Sequence, residues 1–250
     1  MIKIDNKDLA NYIMFKLDKE DNNFSMDELG QIDEIIINPI NINGEYEKID
    51  LEVIKFFSNL KKILFKNVTI DEKTINNLFS METLESIYFE RCEFENTDLL
   101  KDLKVKEVGF INCGIVDYSF VYEMSDLESL SIVNGLVSIS GVNKLKKLEY
   151  LQLSYSVMMD IETFDLPFLK ELHIDNTNFM DTSNLENLTN LQRIGISEEQ
   201  YIEGKKIYKE LIQKGVLVLN QNLLEFDERS ALNESVWWKN QSINIEFWYD

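Results

Sequence analysis

A chain of 250 residues, 44% of them apolar and 11% aromatic, has the length and the material for a sizeable buried core. Its formal charge of −20, from 45 acidic against 25 basic residues, argues against nucleic acid and against anionic membrane surfaces, because both demand clustered Lys and Arg and here the cations are scattered among carboxylates. The same charge suits a basic protein partner, whose approach the field would steer, although an acidic surface also serves plain solubility.

In chain order, the segment Met1-Ile2-Lys3-Ile4-Asp5-Asn6-Lys7-Asp8 carries too many charges for the apolar core of a signal peptide. No apolar run approaches the ~20 residues needed to span a bilayer. Two cysteines do not make a disulfide framework. These features predict a chain that stays in the reducing cytoplasm. Residues 6–17 read as a helix, with Leu9, Ile13, Met14 and Leu17 on one face. Ser25-Met26-Asp27-Glu28 is a capping-box pattern that opens a second turn toward Leu29 and Ile32.

From there one apolar pattern recurs: apolar-x-x-apolar-x-apolar-x-x-small-x-apolar. A loose first copy is Ile32/Ile35/Ile37/Ile40/Ile42. Full copies start at Leu60, Leu84, Val105, Leu127, Leu148 and Leu169, and a last one runs Leu191/Ile194/Ile196. The starting positions step by 24, 21, 22, 21, 21 and 22 residues. Chance does not hold a register over seven copies, and a repeat that cannot bury its own apolar face must stack on its neighbours. Each copy then gives one short strand to a parallel sheet. The alternation in Ile63-x-Phe65 or Leu151-x-Leu153 points these side chains inward and their neighbours outward. Val121/Met124, Val142/Leu145 and Leu185/Leu188 mark the returning arm, with short turns on the convex side. Ile75-Asn76-Asn77-Leu78-Phe79 reads as a real helix.

These rows resemble the leucine-rich repeat, and the 21–22-residue step resembles its short bacterial internalin-type class over about residues 25–200. The resemblance implies an α/β leucine-rich-repeat solenoid with a parallel concave sheet and a helical N-terminal cap over residues 1–31. Repeats would fill 32–197, and a helix–strand C-terminal cap 198–250, all in one continuous domain. It also implies protein recognition. One departure stands out. The family favours Asn, or sometimes Cys, at the ninth position, but here that column reads Ile40, Val68, Cys92, Cys113, Gly135, Ser156, Thr177 and Glu199. Asn instead stands one place earlier, at Asn67, Asn112, Asn134 and Asn176, which predicts irregular coil geometry.

After the repeats, Ser197-Glu198-Glu199-Gln200 is a second capping box. A helix with Ile202, Leu211 and Ile212 follows, Lys214 and Gly215 mark its end, and Val216-Leu217-Val218-Leu219 reads as a closing strand. The last thirty residues do not fit the repeat and hold all three tryptophans: Trp237, Trp238 and Trp248, beside Phe247 and Tyr249. They predict either a hairpin that covers the last coil or an aromatic contact patch.

Chemistry is hard to assemble from these residues. The single histidine, His173, stands outward, and Cys113 stands inward three coils, or ~14 Å, away, so a Cys–His dyad is excluded. No zinc spacing, phosphate-binding Gly loop or nucleophile elbow occurs. The expectation is therefore no catalysis, no metal and no cofactor. Cys92 and Cys113 share a column in adjacent coils, where free buried thiols are expected. The outward strand positions predict a binding surface. They carry Leu64, Lys66, Tyr88, Glu90, Arg91, Ile111, Val133, Tyr150, Gln152, Tyr155, His173, Asp175 and Asn176. In this surface an apolar centre of Ile111 and Val133 is flanked by Tyr88, Tyr150 and Tyr155. Trp237 and Trp238 are the rival patch. The sequence thus points to a cytoplasmic module that holds another protein, in one version an inhibitor or immunity-type protein for a basic partner. The alternatives are a surface or secreted host-interaction protein of the internalin kind and an enzyme with a site in the last thirty residues.

Overall fold

The structure, a computed structural model, describes residues 1–38, 52–160, 162–182 and 185–220. Ile40, Ile42 and the Trp-rich segment with Trp237 and Trp238 lie outside the described residues. Among the described residues nine parallel strands in sequence order form one sheet. They are β1 (Glu34–Ile37), β2 (Lys62–Lys66), β3 (Ser86–Glu90), β4 (Glu107–Ile111), β5 (Ser129–Val133), β6 (Tyr150–Gln152), β7 (Glu171–His173), β8 (Arg193–Ile196) and β9 (Leu217–Asn220). The pairing register never slips. Ile35, Ile63, Ile87, Val108, Leu130, Leu151, Leu172, Ile194 and Val218 stand side by side, one per coil. All but Val218 are buried, as is the second inward row from Ile37 to Ile196. In that second row Phe65, Phe89 and Phe110 stack with centroids 5.5 and 5.4 Å apart and planes within 14°. This uninterrupted apolar column is the solenoid the repeat predicts: one core, shared between neighbours.

The N-terminal end is covered by helix α1 (Lys7–Lys16). The Asn6 side chain caps it by accepting from the Leu9 N–H at 2.8 Å, and it buries Leu9 and Ile13. Helix α2 (Met26–Leu29) opens on the predicted capping box: the Glu28 N–H donates to Ser25 Oγ, and the Ser25 N–H donates to Glu28 Oε2 at 2.7 Å. Helix α3 (Glu72–Phe79) occupies the longer second copy, its N-terminus capped by Asp71. Elsewhere the returning arm is made of single turns such as Asp98–Asp102 and Val121–Glu123 and the short helix α4 (Ile139–Val142). They bury Leu100, Val121 and Val142 on the convex side. The predicted C-terminal helix is two: α5 (Glu198–Glu203) and α6 (Lys205–Gln213) break at Gly204, which lies against Tyr208 and Thr182 too closely for a Cβ. Leu211 faces the core while Ile202 and Ile212 are exposed. Gly215 then turns the chain at φ +89°, a conformation glycine takes without strain, into β9.

The displaced asparagines have a backbone reason. Asn67, Asn112, Asn134 and Asn176 all adopt left-handed φ between 54° and 60° at the corner after each strand, where their short amides are tolerated. Two of them extend a hydrogen bond to the neighbouring coil: Asn67 Nδ2 donates to Asn38 Oδ1 at 3.0 Å and Asn134 Nδ2 to Asn112 Oδ1 at 3.1 Å. The ninth position does the work of tying the turn with smaller donors. The Cys92 and Cys113 thiols and the Ser156 hydroxyl donate to carbonyls of the preceding coil, Phe65, Phe89 and Ile132, at 3.4, 3.2 and 3.0 Å. Thr177 donates to Ile174 O within its own coil at 2.7 Å. Irregular coils were the expectation from the missing Asn ladder, and the even register corrects it: a column of thiols and hydroxyls holds the same turn. At the last corner the tie comes from buried Gln200 rather than Glu199. Its Nε2 lies 2.8 Å from Ile174 O, 3.1 Å from Thr177 Oγ1 and 3.1 Å from Phe179 O. The capping-box residue of α5 thus also closes the neighbouring coil.

Cys92 and Cys113 are free thiols, the first buried and the second partly so. Burial pushes them up to about 12 and about 11. The thiolate is the reactive species, so in native buffer at neutral pH both should label slowly with a chromogenic disulfide reagent and react at once on denaturation. Rapid native labelling would contradict their place in the column.

Candidate functional site

The concave face is built by the outward residues of β1 to β9, which pair across coils in three rows. The first runs Lys62, Ser86, Glu107, Ser129, Tyr150, Glu171, Arg193. The second runs Leu64, Tyr88, Gly109, Ser131, Gln152, His173, Gly195, and the third Lys66, Glu90, Ile111, Val133. Small residues in the second row decide how the large ones lie. A Cβ on Gly109 would run into the Tyr88 ring, and one on Gly195 into the His173 ring. Each ring therefore lies over the glycine of the next coil instead of standing up into solvent.

An apolar floor results. Leu64, Tyr88, Ile111 and Tyr150 form one buried cluster, with Ile36 and Val133 partly buried against it. Tyr88, Ile111 and Tyr150 are only 7%, 3% and 5% exposed, and His173, Glu90 and Asp175 are likewise buried. This corrects the expectation that these side chains carpet an open surface: they point away from the core, yet neighbours at one strand spacing cover them. Tyr155 is also placed differently. It occupies the left-handed corner after β6 at φ 60° and is 49% exposed, outside the cluster that holds Tyr150.

The buried polar groups are paired. Glu107 Oε2 accepts from the Ser86 hydroxyl at 2.8 Å and from the Tyr88 hydroxyl at 3.2 Å. Glu90 lies between Lys66 Nζ at 2.6 Å and Arg91 Nη2 at 2.7 Å. Glu171 holds His173 Nε2 at 2.8 Å and Arg193 Nη1 at 3.4 Å, and the His173 ring packs against Tyr150 with centroids 5.7 Å apart. Beside them the Ser131 hydroxyl donates to Gln152 Oε1 at 2.7 Å and the Ser154 hydroxyl to Asp175 Oδ1 at 2.6 Å. Burial first, and the carboxylates of Glu107 and Glu171 second, push the Tyr88 and Tyr150 phenols well above their ordinary range, so both are neutral donors at any physiological pH. The floor is thus preorganised by hydrogen bonds and ion pairs among its own polar residues.

The structure brings Tyr88, Ile111, Val133 and Tyr150 together and sets Gln152, His173 and Asp175 beside them, with Glu90 and Arg91 at one margin. Glu107, Ser131, Ser154, Glu171 and Arg193 complete the floor and were not singled out from the sequence. A signal for the arrangement existed in the register itself: Gly109 follows Tyr88 by 21 residues and Gly195 follows His173 by 22, one coil each. Among the described residues no three His, Cys, Asp or Glu side chains are grouped to hold a metal ion. None of the described helices is long and apolar enough to cross a membrane.

No family model matches the chain. Solved structures do resemble it. Internalin C2 of Listeria monocytogenes superposes with a TM-score of 0.59 at 20% identity, over 87% of this chain and 94% of that one. A leucine-rich-repeat protein of Leptospira interrogans superposes with a TM-score of 0.51 at 14% identity, over 74% of this chain and 54% of that one. At such identities the likeness is one of architecture. By fold the chain is an internalin-like leucine-rich-repeat solenoid with its parallel sheet on the concave side.

Proposed function

We propose that the chain is a non-catalytic, protein-binding module that works in the cytoplasm and takes its partner on the concave face. In its most specific form it is an inhibitor or immunity-type protein that occupies a basic protein. The observation that carries this reading is the preorganised floor. An apolar cluster of Leu64, Tyr88, Ile111 and Tyr150 is bordered by the carboxylates Glu90, Glu107, Glu171 and Asp175, all already held in place. A rigid surface loses little conformational freedom on binding, so more of the contact energy appears as affinity. The net charge of −20 favours a basic partner and speeds its arrival.

Because Tyr88 and Tyr150 are buried, the contacts themselves fall to the partly exposed residues around them: Arg91, Val133, Gln152 and Tyr155. Affinity capture from the native cell with the full chain as bait supplies the partner. Arg91→Asn with Tyr155→Asn, two exposed corner residues, should then weaken binding by about tenfold or more while the melting temperature does not fall. Full affinity in that variant, with loss of binding on Trp237→Ala or Trp238→Ala instead, would move the site to the last thirty residues.

A further inference from the structure

The corner after β5 differs from its neighbours in one residue. Its left-handed Asn134 is followed by glycine, whereas Asn67, Asn112 and Asn176 are followed by Val68, Cys113 and Thr177. Packing demands that glycine. A Cβ on Gly135 would stand 2.6 Å from Ile132 Cγ2 and 3.1 Å from the Tyr118 hydroxyl oxygen. The fold thus asks for Asn at the turn and for Gly at the next place, and the two demands meet in an Asn-Gly pair. Such a pair is the most reactive setting for an asparagine amide. The nucleophile is the main-chain nitrogen of the following residue, and glycine puts no side chain in its way. Asn134 is exposed, so water reaches the amide.

We infer that Asn134 is a site of spontaneous covalent modification and that the Ser156 hydroxyl sets its rate. The Gly135 nitrogen, once its proton has passed to hydroxide, attacks Asn134 Cγ. The new N–Cγ bond closes a succinimide ring, the Cγ–Nδ2 bond breaks, and Nδ2 leaves as ammonia. Water then opens the ring at either carbonyl, to aspartate or to isoaspartate. Water is consumed, ammonia is released, and nothing is oxidised or reduced.

Two contacts oppose the step. The Gly135 N–H donates to Ser156 Oγ at 3.1 Å, which holds the proton that must leave, and the Ser156 hydroxyl is itself fixed by donating to Ile132 O at 3.0 Å. Asn134 Nδ2 donates to Asn112 Oδ1 at 3.1 Å, which holds the amide toward the preceding coil. The fold therefore slows the reaction without abolishing it. The product alters the corner in two ways. A carboxylate has no proton to give Asn112 Oδ1, so the tie between the coils is lost, and a negative charge appears next to Val133 at the margin of the concave face. In the isoaspartate the main chain also runs through the former side chain and is longer by a methylene. None of this depends on what the concave face binds.

The test incubates the full chain in mildly alkaline buffer and follows the exchange of amide for acid at each asparagine by peptide mass spectrometry. Asn43-Gly44, the second Asn-Gly pair, lies outside the described residues and falls on a separate peptide. Asn134 should convert to aspartate and isoaspartate while Asn67, Asn112 and Asn176 stay intact. Ser156→Ala should convert about tenfold faster, the rate equivalent of one hydrogen bond. Ser156→Thr, which keeps the hydroxyl, should return to the parent's rate, and in denaturant all three chains should react alike. An intact Asn134 in the native parent, over a time in which the denatured chain converts, overturns the proposal. Equal native rates in the parent and Ser156→Ala do so as well. So does acceleration of Asn112 alongside Asn134 in Ser156→Ala, because that would report a general opening of the solenoid and not the loss of one hydrogen bond.

Discussion

Leu130→Ala and Leu151→Ala are each expected to remove about 2–5 kcal/mol of stability, the cost of emptying a fully buried leucine site. Both side chains are completely buried, and they stand in register on β5 and β6 in the middle of the inward column. The column offers little room for collapse. Leu130 lies between Val108 and Leu151, and Leu151 between Leu130 and Leu172, with each strand pinned on both sides. The two cavities would be neighbours, so the double variant should depart from the sum of the singles. Chemical denaturation checks this, and a midpoint equal to the parent's in either single variant would show that the inward register is wrong.

Tyr150→Ala is the second large effect, and its sign follows from the structure rather than from the alternation of the sequence. An outward strand residue is expected to be truncated at little cost to folding. Tyr150 is 5% exposed, packs in the cluster with Leu64, Tyr88 and Ile111, and rests against His173. Its loss should cost about 3 kcal/mol, the lower end of the range for a buried aromatic, since one side of the cluster opens to the concave space. In a chain of this size that lowers the melting temperature by roughly 6–12 °C. A melting curve that superposes on the parent's would return Tyr150 to the open surface and make it a binding anchor again.

These two residues show what the sequence discloses and where it stops. The inward columns were legible because each repeats at constant spacing, and no other packing buries seven such rows at once. Both capping boxes and the helix at Glu72–Phe79 were legible from local chemistry. The concave floor was half legible. Alternation says correctly that Tyr88, Tyr150 and His173 point away from the core, but exposure is decided by what stands one coil over, and there Gly109, Ser131 and Gly195 leave room for a ring to lie down. The displaced asparagines were seen as a defect in the repeat, because a side-chain pattern does not announce a backbone that must turn left-handed.

That left-handed corner has one more consequence. Four of the six corners that follow β2 to β7 use Asn, while Arg91 and Tyr155 take the same turn at φ 51° and 60°. For a residue with a full-sized side chain this conformation is strained, by roughly 1–2 kcal/mol. The chain thus carries strain at two corners that an asparagine would lessen, one at the Glu90 margin of the floor and the other after β6. Strain of this kind persists only where the surrounding structure over-determines it, and it gathers where a side chain is wanted for something other than stability. Among the described corners, Arg91 and Tyr155 are thus the two where this solenoid gives up stability, each with a large and exposed side chain.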